Sequence, residues 1–290
     1  MIRTVMLGRT GNNLFQYAAG RALAEKHGTG LVMDGSWFNR RDWESVRMIE
    51  TLPIKARLTR HCSLASKTLK RITGKHHLEY FGYHFHRELS GNTSFDPSVL
   101  QLPDSSLLFG YFQTPHYFAH IEKQIRSELT FEGRKLDGES QNVADKLLGA
   151  SSVAVHVRRT DYIGNPNTDV CGSAYYRKAF ALIREMVPDA AFYIFSDDPE
   201  WCRKNFQGDK FTVVDSAKSR IDPINDLHLM SLADHHIIAN SSYSWWAAWL
   251  GKKPGQRVLM PNEWFRGLTS PIAEKRCEGW ETVPSGRNMR

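Results

Sequence analysis

The second half of the chain alternates short β-forming runs with amphipathic stretches so regularly that few folds can hold it. Apolar strands are expected at residues 153–157, 192–195, 211–214, 236–239 and 257–260. Helical patterns fall between them at 173–186, 199–206, 224–233 and 242–250. A two-residue hairpin joins only antiparallel strands, so strands separated by helices pair parallel through crossovers. Right-handed crossovers then cover both faces with helices, giving a doubly wound parallel sheet.

The first half opens the same way. Residues 2–7 read as a strand and Gly8-Arg9-Thr10-Gly11 as a turn. Asn12 is the expected cap of a helix running to about His27, stopped by Gly28, and residues 31–34 form the next strand. Residues 106–112 (SLLFGYF) read as a further strand, followed by a helix to about Leu129. Residues 130–152 are polar and carry one short helical pattern. The domain boundary is expected there, dividing the chain into 1–150 and 151–290. Two domains also suit a length of 290 residues.

Composition narrows the partners. The net charge of +7 favours anionic ones: nucleic acid, phosphorylated metabolites or a membrane surface. Residues 51–78 hold Lys55, Arg57, Arg60, Lys67, Lys70, Arg71 and Lys75 with no acidic residue. Leu64, Leu69 and Ile72 lie among them, so part of the stretch could form a basic amphipathic helix, either a solvated face or one that meets an anionic membrane. Cys62, Cys171, Cys202 and Cys277 show no C-x-x-C pairing and fit free thiols in a reducing cytoplasm. The N-terminus has no signal-peptide pattern, and no run approaches the ~18 apolar residues of a membrane span. The expected location is the cytoplasm, with peripheral contact at an inner membrane face.

Three motifs carry chemistry. The first is VHVRRTDY, residues 155–162. It ends a strand with two adjacent arginines, whose repulsion is relieved by an anion. Ligands of such sheets bind beyond the carboxyl ends of the strands. Alternation sends His156 and Arg158 to one face and Arg159 to the other. An arginine fork there suits phosphate oxygens, while an ion pair with Asp161 is the structural alternative. The second motif is IIANSSYSWWAAWL, residues 237–250. Asn240 turns the chain, and Ser241 or Ser242 caps a helix whose N-terminus suits phosphate, an ordinary N-cap being the structural alternative. Tyr243 adds a hydroxyl, while Trp245 and Trp246 read as core. The third is FGYFQ, residues 109–113, in which Tyr111 and Gln113 pair an aromatic with an amide, as sugar sites do, with a packed aromatic cluster as the structural alternative.

Several signatures are missing. There is no G-x-G-x-x-G, no G-x-x-x-x-G-K-[ST] and no Asp-x-Asp, since Asp197 and Asp198 are adjacent. A bound diphosphate is therefore expected to be neutralised by arginine and helix N-termini, without metal or cofactor.

Taken together, HVRRTDY, IANSSYSWW, the opening GRTGNNLFQYA and GYFQ resemble the bacterial α-1,2-fucosyltransferases, glycosyltransferase family 11. The resemblance spans about residues 5–265. Two departures lie at Arg9 and Asn13, where the family commonly has glycine and glutamine. It implies a GT-B-like fold of two Rossmann-like domains facing a cleft, with GDP-fucose on 151–290 and acceptor on 1–150. It implies inverting transfer from GDP-β-L-fucose to the 2-hydroxyl of a galactose-containing oligosaccharide or lipid-linked glycan. Arg158 is then expected at the β-phosphate, with His156 near the nucleotide and Arg159 holding the loop. Asn240, Ser241, Ser242 and Tyr243 complete the donor side, and Asp226 is a candidate partner of guanine. Asn12, Asn13, Gln16, Tyr111 and Gln113 are expected on the acceptor side. Asp161 is a candidate general base, though it could instead orient Arg158. Competing readings are an α-1,6 or O-linked GDP-fucose transferase, a non-catalytic nucleotide-sugar binder and a basic RNA-binding protein. The chain lacks RRM and KH signatures, so no nucleic-acid partner is expected.

The missing metal motifs generate a test. Transfer activity is expected to survive EDTA. Loss of activity that Mg²⁺ or Mn²⁺ restores is the contrary outcome.

Overall fold

The computed structural model describes residues 1–35, 51–59, 82–214 and 223–286. The chain forms two compact units, Met1–Thr130 and Phe131–Arg290. The division falls earlier than the expected 150/151. The helix in the intervening segment, Gly138–Leu148, belongs to the second unit. Its Ser140 hydroxyl accepts a bond from Asn225 at 2.8 Å, and its Lys146 carbonyl accepts one from Tyr193 at 3.1 Å.

The first unit holds β1 (Ile2–Val5), β2 (Leu31–Asp34), β3 (Ala56–Thr59), β4 (His84–Arg87) and β5 (Ser106–Phe109). All pair parallel, in the order β3-β2-β1-β5-β4. Helix α1 (Thr10–Lys26) packs on β1. Gly20 permits the approach, since a Cβ there would lie 2.3 Å from Thr4 Oγ1. Helix α2 (Glu122–Glu128) follows two short 3-10 turns, so the expected single helix to Leu129 is broken. Asn12 is not the cap of α1. Gly8, at φ +71°, turns the chain sharply enough for the helix to begin at Thr10 behind Arg9. Gly28 stops it as expected, at φ +59°.

The strand expected at 106–112 ends at Phe109. Beyond it Phe112 is fully buried at φ +51°, a conformation that bulky side chains rarely adopt. Such strain costs on the order of 1–3 kcal/mol and persists only where its surroundings enforce it.

In the second unit the helix Gly138–Leu148 is α3. It is joined by β6 (Ser152–Val157), α4 (Ser173–Met186), β7 (Ala191–Ser196), α5 (Pro199–Asn205) and β8 (Phe211–Val213). Then follow α6 (Pro223–Leu232), β9 (His235–Ile237), α7 (Ser242–Leu250), β10 (Val258–Pro261) and β11 (Trp280–Val283). The six strands are parallel in the order β11-β10-β9-β6-β7-β8. Val153, Val155 and Val157 face one way, into a core with Tyr175, Tyr176 and Phe180 of α4. Trp245 and Trp246 are core, the Trp245 indole donating to the Lys275 carbonyl at 2.7 Å.

Strand order reverses once in each sheet: between β1 and β5, and between β6 and β9. Crevices form at such points, beyond the carboxyl ends of the strands. The quoted motifs follow these four strands.

Cys171, Cys202 and Cys277 are free thiols; Cys62 lies outside the described residues. The expected basic amphipathic helix, which follows Thr59, lies outside them too. No helix among the described residues is long and apolar enough to cross a membrane.

One buried side chain ties the first crevice together. Gln16 donates to the Leu7 and Gly110 carbonyls at 3.2 and 2.9 Å and accepts from the Leu7 N–H at 3.1 Å. Gln16→Ala strands several buried backbone groups and is expected to cost about 2–4 kcal/mol. Urea unfolding measures it; a loss below about 0.5 kcal/mol would show that the crevice does not depend on this amide.

Candidate functional site

The register of β6 on β7 builds the site. Val157 pairs with Ser196, so the next residues, Arg158 and Asp197, leave the sheet side by side. Asp197 is the hub. Its carboxylate accepts the Arg159 N–H at 2.8 Å, the Thr160 N–H at 3.3 Å and the Thr160 hydroxyl at 2.6 Å. It also pairs with Arg158 Nη1 at 3.1 Å. The loop after β6 is thereby wrapped around one largely buried charge.

The other Arg158 nitrogen, Nη2, pairs with Asp161 at 2.7 Å. The fork is therefore held by two carboxylates that differ in accessibility. The Asp161 side chain is 45% exposed and that of Asp197 only 19%. Asp161 is the more exposed partner of the two.

Arg159 goes elsewhere. Its Nε donates to Asp198 at 3.0 Å and its guanidinium lies 3.8 Å above the Trp201 ring of α5. His156 points the opposite way, with its ring 5.7 Å from that of Tyr243 in α7. The expected separation of His156 and Arg159 onto two faces is what the structure has. Burial, then the Arg158 charge, pushes the His156 imidazole down to about 4. It is neutral near pH 7, and its buried Nδ1 has no hydrogen-bond partner.

Strand β9 delivers the second motif beside the first. Tyr162 donates to the Asn240 carbonyl at 3.4 Å and its hydroxyl is hydrogen-bonded to Ser241. Burial raises the Tyr162 phenol to about 12, so it remains a donor. Ser241 is the N-cap residue of α7 without a side-chain cap bond, and Ser242 is the first helical residue. The Ser241 side chain therefore accepts none of the first amides of the helix. Asn240 serves the loops instead, its amide donating to the Thr168 and Trp264 carbonyls at 3.1 and 2.9 Å. The Tyr243 hydroxyl likewise donates to the Pro223 carbonyl. Both side chains act as clamps. Asp226 lies in the first turn of α6, only 8% exposed.

This combination of an arginine fork, a neutral histidine and a helix N-terminus at one switch point suits a nucleoside diphosphate. The family described as Glycosyl transferase family 11 matches residues 1–266. The chain belongs to glycosyl transferase family 11. An α-1,2-colitosyltransferase of Escherichia coli is 28% identical over 272 residues, covering 90% of this transferase and 91% of that one. A galactoside α-(1,2)-fucosyltransferase 1 of Lagothrix lagotricha is 34% identical over 158 residues, covering 50% of this chain and 42% of that protein. Among solved structures, a mutant of Arabidopsis thaliana FUT1 in complex with GDP superposes with a TM-score of 0.52 at 10% identity. It covers 94% of this chain and 72% of that one, a likeness of fold: two parallel α/β units of GT-B type.

In the first unit of this family 11 transferase, Asn13 and Gln16 are fully buried. The Asn13 amide donates to the Leu7 carbonyl and to Gln16 at 3.1 and 3.0 Å, so both shape the turn from within. Tyr111 is 40% exposed, and Gln113 donates to Asn12 at 2.7 Å. Asp197 had no expected role, since its bonds depend on strand register. Among the described residues, no group of three or more His, Cys, Asp or Glu is arranged to hold a metal.

The two arginines generate a paired test. Arg158→Lys keeps the charge but loses the fork, and is expected to lower kcat by about 10²-fold, roughly 2.7 kcal/mol, with little change in melting temperature. Arg159→Lys loses the stack on Trp201 and is expected to lower melting temperature more than turnover. Wild-type turnover in Arg158→Lys beside a dead Arg159→Lys would exchange the two roles.

Proposed function

We propose that the protein transfers L-fucose from GDP-β-L-fucose to the 2-hydroxyl of a β-galactoside, with inversion and without a metal. The observation that carries this reading is that Arg158 and the α7 N-terminus follow the two strands of the β6–β9 switch point and are bridged by Tyr162, whose ring lies 5.7 Å from the Arg158 guanidinium and whose hydroxyl bonds Asn240 and Ser241. Family membership and the α-1,2 relatives support it.

As the glycosidic bond breaks, negative charge grows on the leaving diphosphate. In this reading Arg158 binds that charge, and the Arg158 Nη1–Asp197 pair keeps the guanidinium oriented. The positive end of α7 adds a field of the same sign. The diphosphate takes the place of Asp161 on the fork. Neutral His156 sits beside the two groups and offers a ring nitrogen without adding charge. Inversion in one displacement needs the acceptor proton removed, and the released Asp161 is the candidate base. Asp226 is a candidate contact for the guanine edge. On the acceptor side, Tyr111 and Asn12 are the candidate contacts, and the buried Gln113, Asn13 and Gln16 support them. The basic residues 51–78 are the candidate contact with an anionic membrane carrying a lipid-linked acceptor.

A second reading has one observation in its favour: the Escherichia coli relative is a colitosyltransferase, and colitose is the 3-deoxy counterpart of L-fucose. The test offers GDP-fucose and GDP-colitose with lactose, N-acetyllactosamine and lacto-N-biose, and assigns product linkage by NMR. Fucose on the galactose 2-hydroxyl is expected. A 6-linked product, or no transfer from either donor, would sink the proposal, and a strong preference for GDP-colitose would replace the donor.

A further inference from the structure

The strained turn after β5 has its own holder. Glu88 follows β4 directly, and its N–H bonds the Phe109 carbonyl at 2.9 Å, continuing the ladder. Its carboxylate turns across the end of β5. One oxygen accepts the Tyr111 N–H at 2.6 Å and the other the Phe112 N–H at 3.2 Å. Gly110 leaves room for this crossing, because a Cβ there would lie 2.5 Å from the Glu88 Cβ. Two charge-assisted bonds thus hold Phe112 in its left-handed conformation. From within, the buried Phe112 ring packs edge-on against Tyr117 at 5.5 Å.

The consequence of the strain is the placement of Tyr111. With its neighbour Phe112 turned inward, Tyr111 is turned out and left 40% exposed. It lies over the Gly8 turn, whose absent Cβ would be 3.3 Å from the Tyr111 ring. Asn12 and Gln113, bonded at 2.7 Å, follow these two residues closely in sequence. An exposed aromatic beside the Asn12 amide, itself held by the buried Gln113, is chemistry that binds a pyranose: a CH face to cover and a hydroxyl to bond. Exposed aromatics are commonplace; one aimed by a strained backbone and a dedicated carboxylate is not.

We infer that Glu88 is a positioning residue that aims Tyr111 as a stacking platform for the galactose ring of the acceptor. The inference rests on the proposed acceptor class but not on the identity of the donor. It assigns the platform to Tyr111 and its aim to Glu88, through the backbone and without contact to the sugar.

The test separates platform from aim. Tyr111→Ala is expected to raise the acceptor KM at least 10-fold, while Tyr111→Phe keeps the ring and stays within about 2-fold. Glu88→Gln retains one acceptor oxygen of two and is expected to raise the acceptor KM about 3- to 10-fold. Its kcat at saturating acceptor and its calorimetric affinity for GDP should hold. Melting temperature is followed for each variant, and lactose binding is read independently by saturation-transfer NMR in the presence of GDP. An unchanged acceptor KM in Tyr111→Ala overturns the platform. A Glu88→Gln protein that loses kcat and GDP affinity without a change in acceptor KM overturns the aim. If the wild type transfers no fucose yet its lactose signals vanish in Tyr111→Ala, the proposed activity falls and this inference stands. If the wild type binds no galactoside at all, the inference falls.

Discussion

The carboxylate of Asp197 is the charge around which the second unit arranges its motif. Two arginines in succession at a strand end repel each other, and a loop that carries them needs a buried counter-charge to keep a single shape. Asp197 meets that need by accepting main-chain N–H groups from Arg159 and Thr160 as well as the Arg158 guanidinium. A bond to a side chain fixes one group; bonds to consecutive amides fix the path of the chain. Because β6 and β7 are neighbours in register, this carboxylate reaches the loop without a long excursion. Separating Arg158 from Arg159, and with it the division of labour between a fork and a stacked brace, follows from that fixed path.

The first unit solves the equivalent problem with different groups. Its crevice lies between β1 and β5 and carries no arginine pair, so it has little charge to balance. What it has is a sharp exit from each strand. Gln16 satisfies the main chain of both exits from below, and Glu88 satisfies the second from the side. Each sheet thus supports its crevice with a buried polar side chain that bonds backbone first. The buried Gln16 amide is tolerated there because it bonds the Leu7 main chain, the Gly110 carbonyl and Asn13.

How much of this was legible in the sequence depends on what each residue's role requires. The α7 helix was readable to its ends, because SYSWWAAWL is apolar almost throughout and Gly251 closes it. The β6-to-β10 alternation was readable for the same reason. Strands β3 and β4 were not: they are four residues each, half exposed, and lack an apolar run. Nor was β11, whose two central residues, Glu281 and Thr282, are exposed. At the site, the separation of His156 from Arg159 was legible from period-two alternation. Asp197 was not, since nothing local marks it; its role exists only once two strands are paired. Asn13 and Gln16 show the converse limit. An amide beside a glycine turn looks the same in sequence whether it faces a sugar or the chain's own carbonyls. Glu88 escaped notice because its partners, Tyr111 and Phe112, lie on the following strand's exit and bond through main chain, which leaves no trace in residue type.

The pairing of Arg158 with Asp161 carries a consequence for selectivity against small anions. An arginine fork open to solvent would bind inorganic phosphate and any passing phosphorylated metabolite. Here a carboxylate three residues away already occupies it, tethered so closely that its effective concentration far exceeds that of free anions in solution. A monophosphate brings too few contacts to displace it. A ligand that also engages the α7 amides and lays a base and a sugar on neighbouring surfaces brings enough. In the proposed reading the chain's own aspartate acts as a threshold, so that the arginine opens to a nucleoside diphosphate and stays closed to free phosphate.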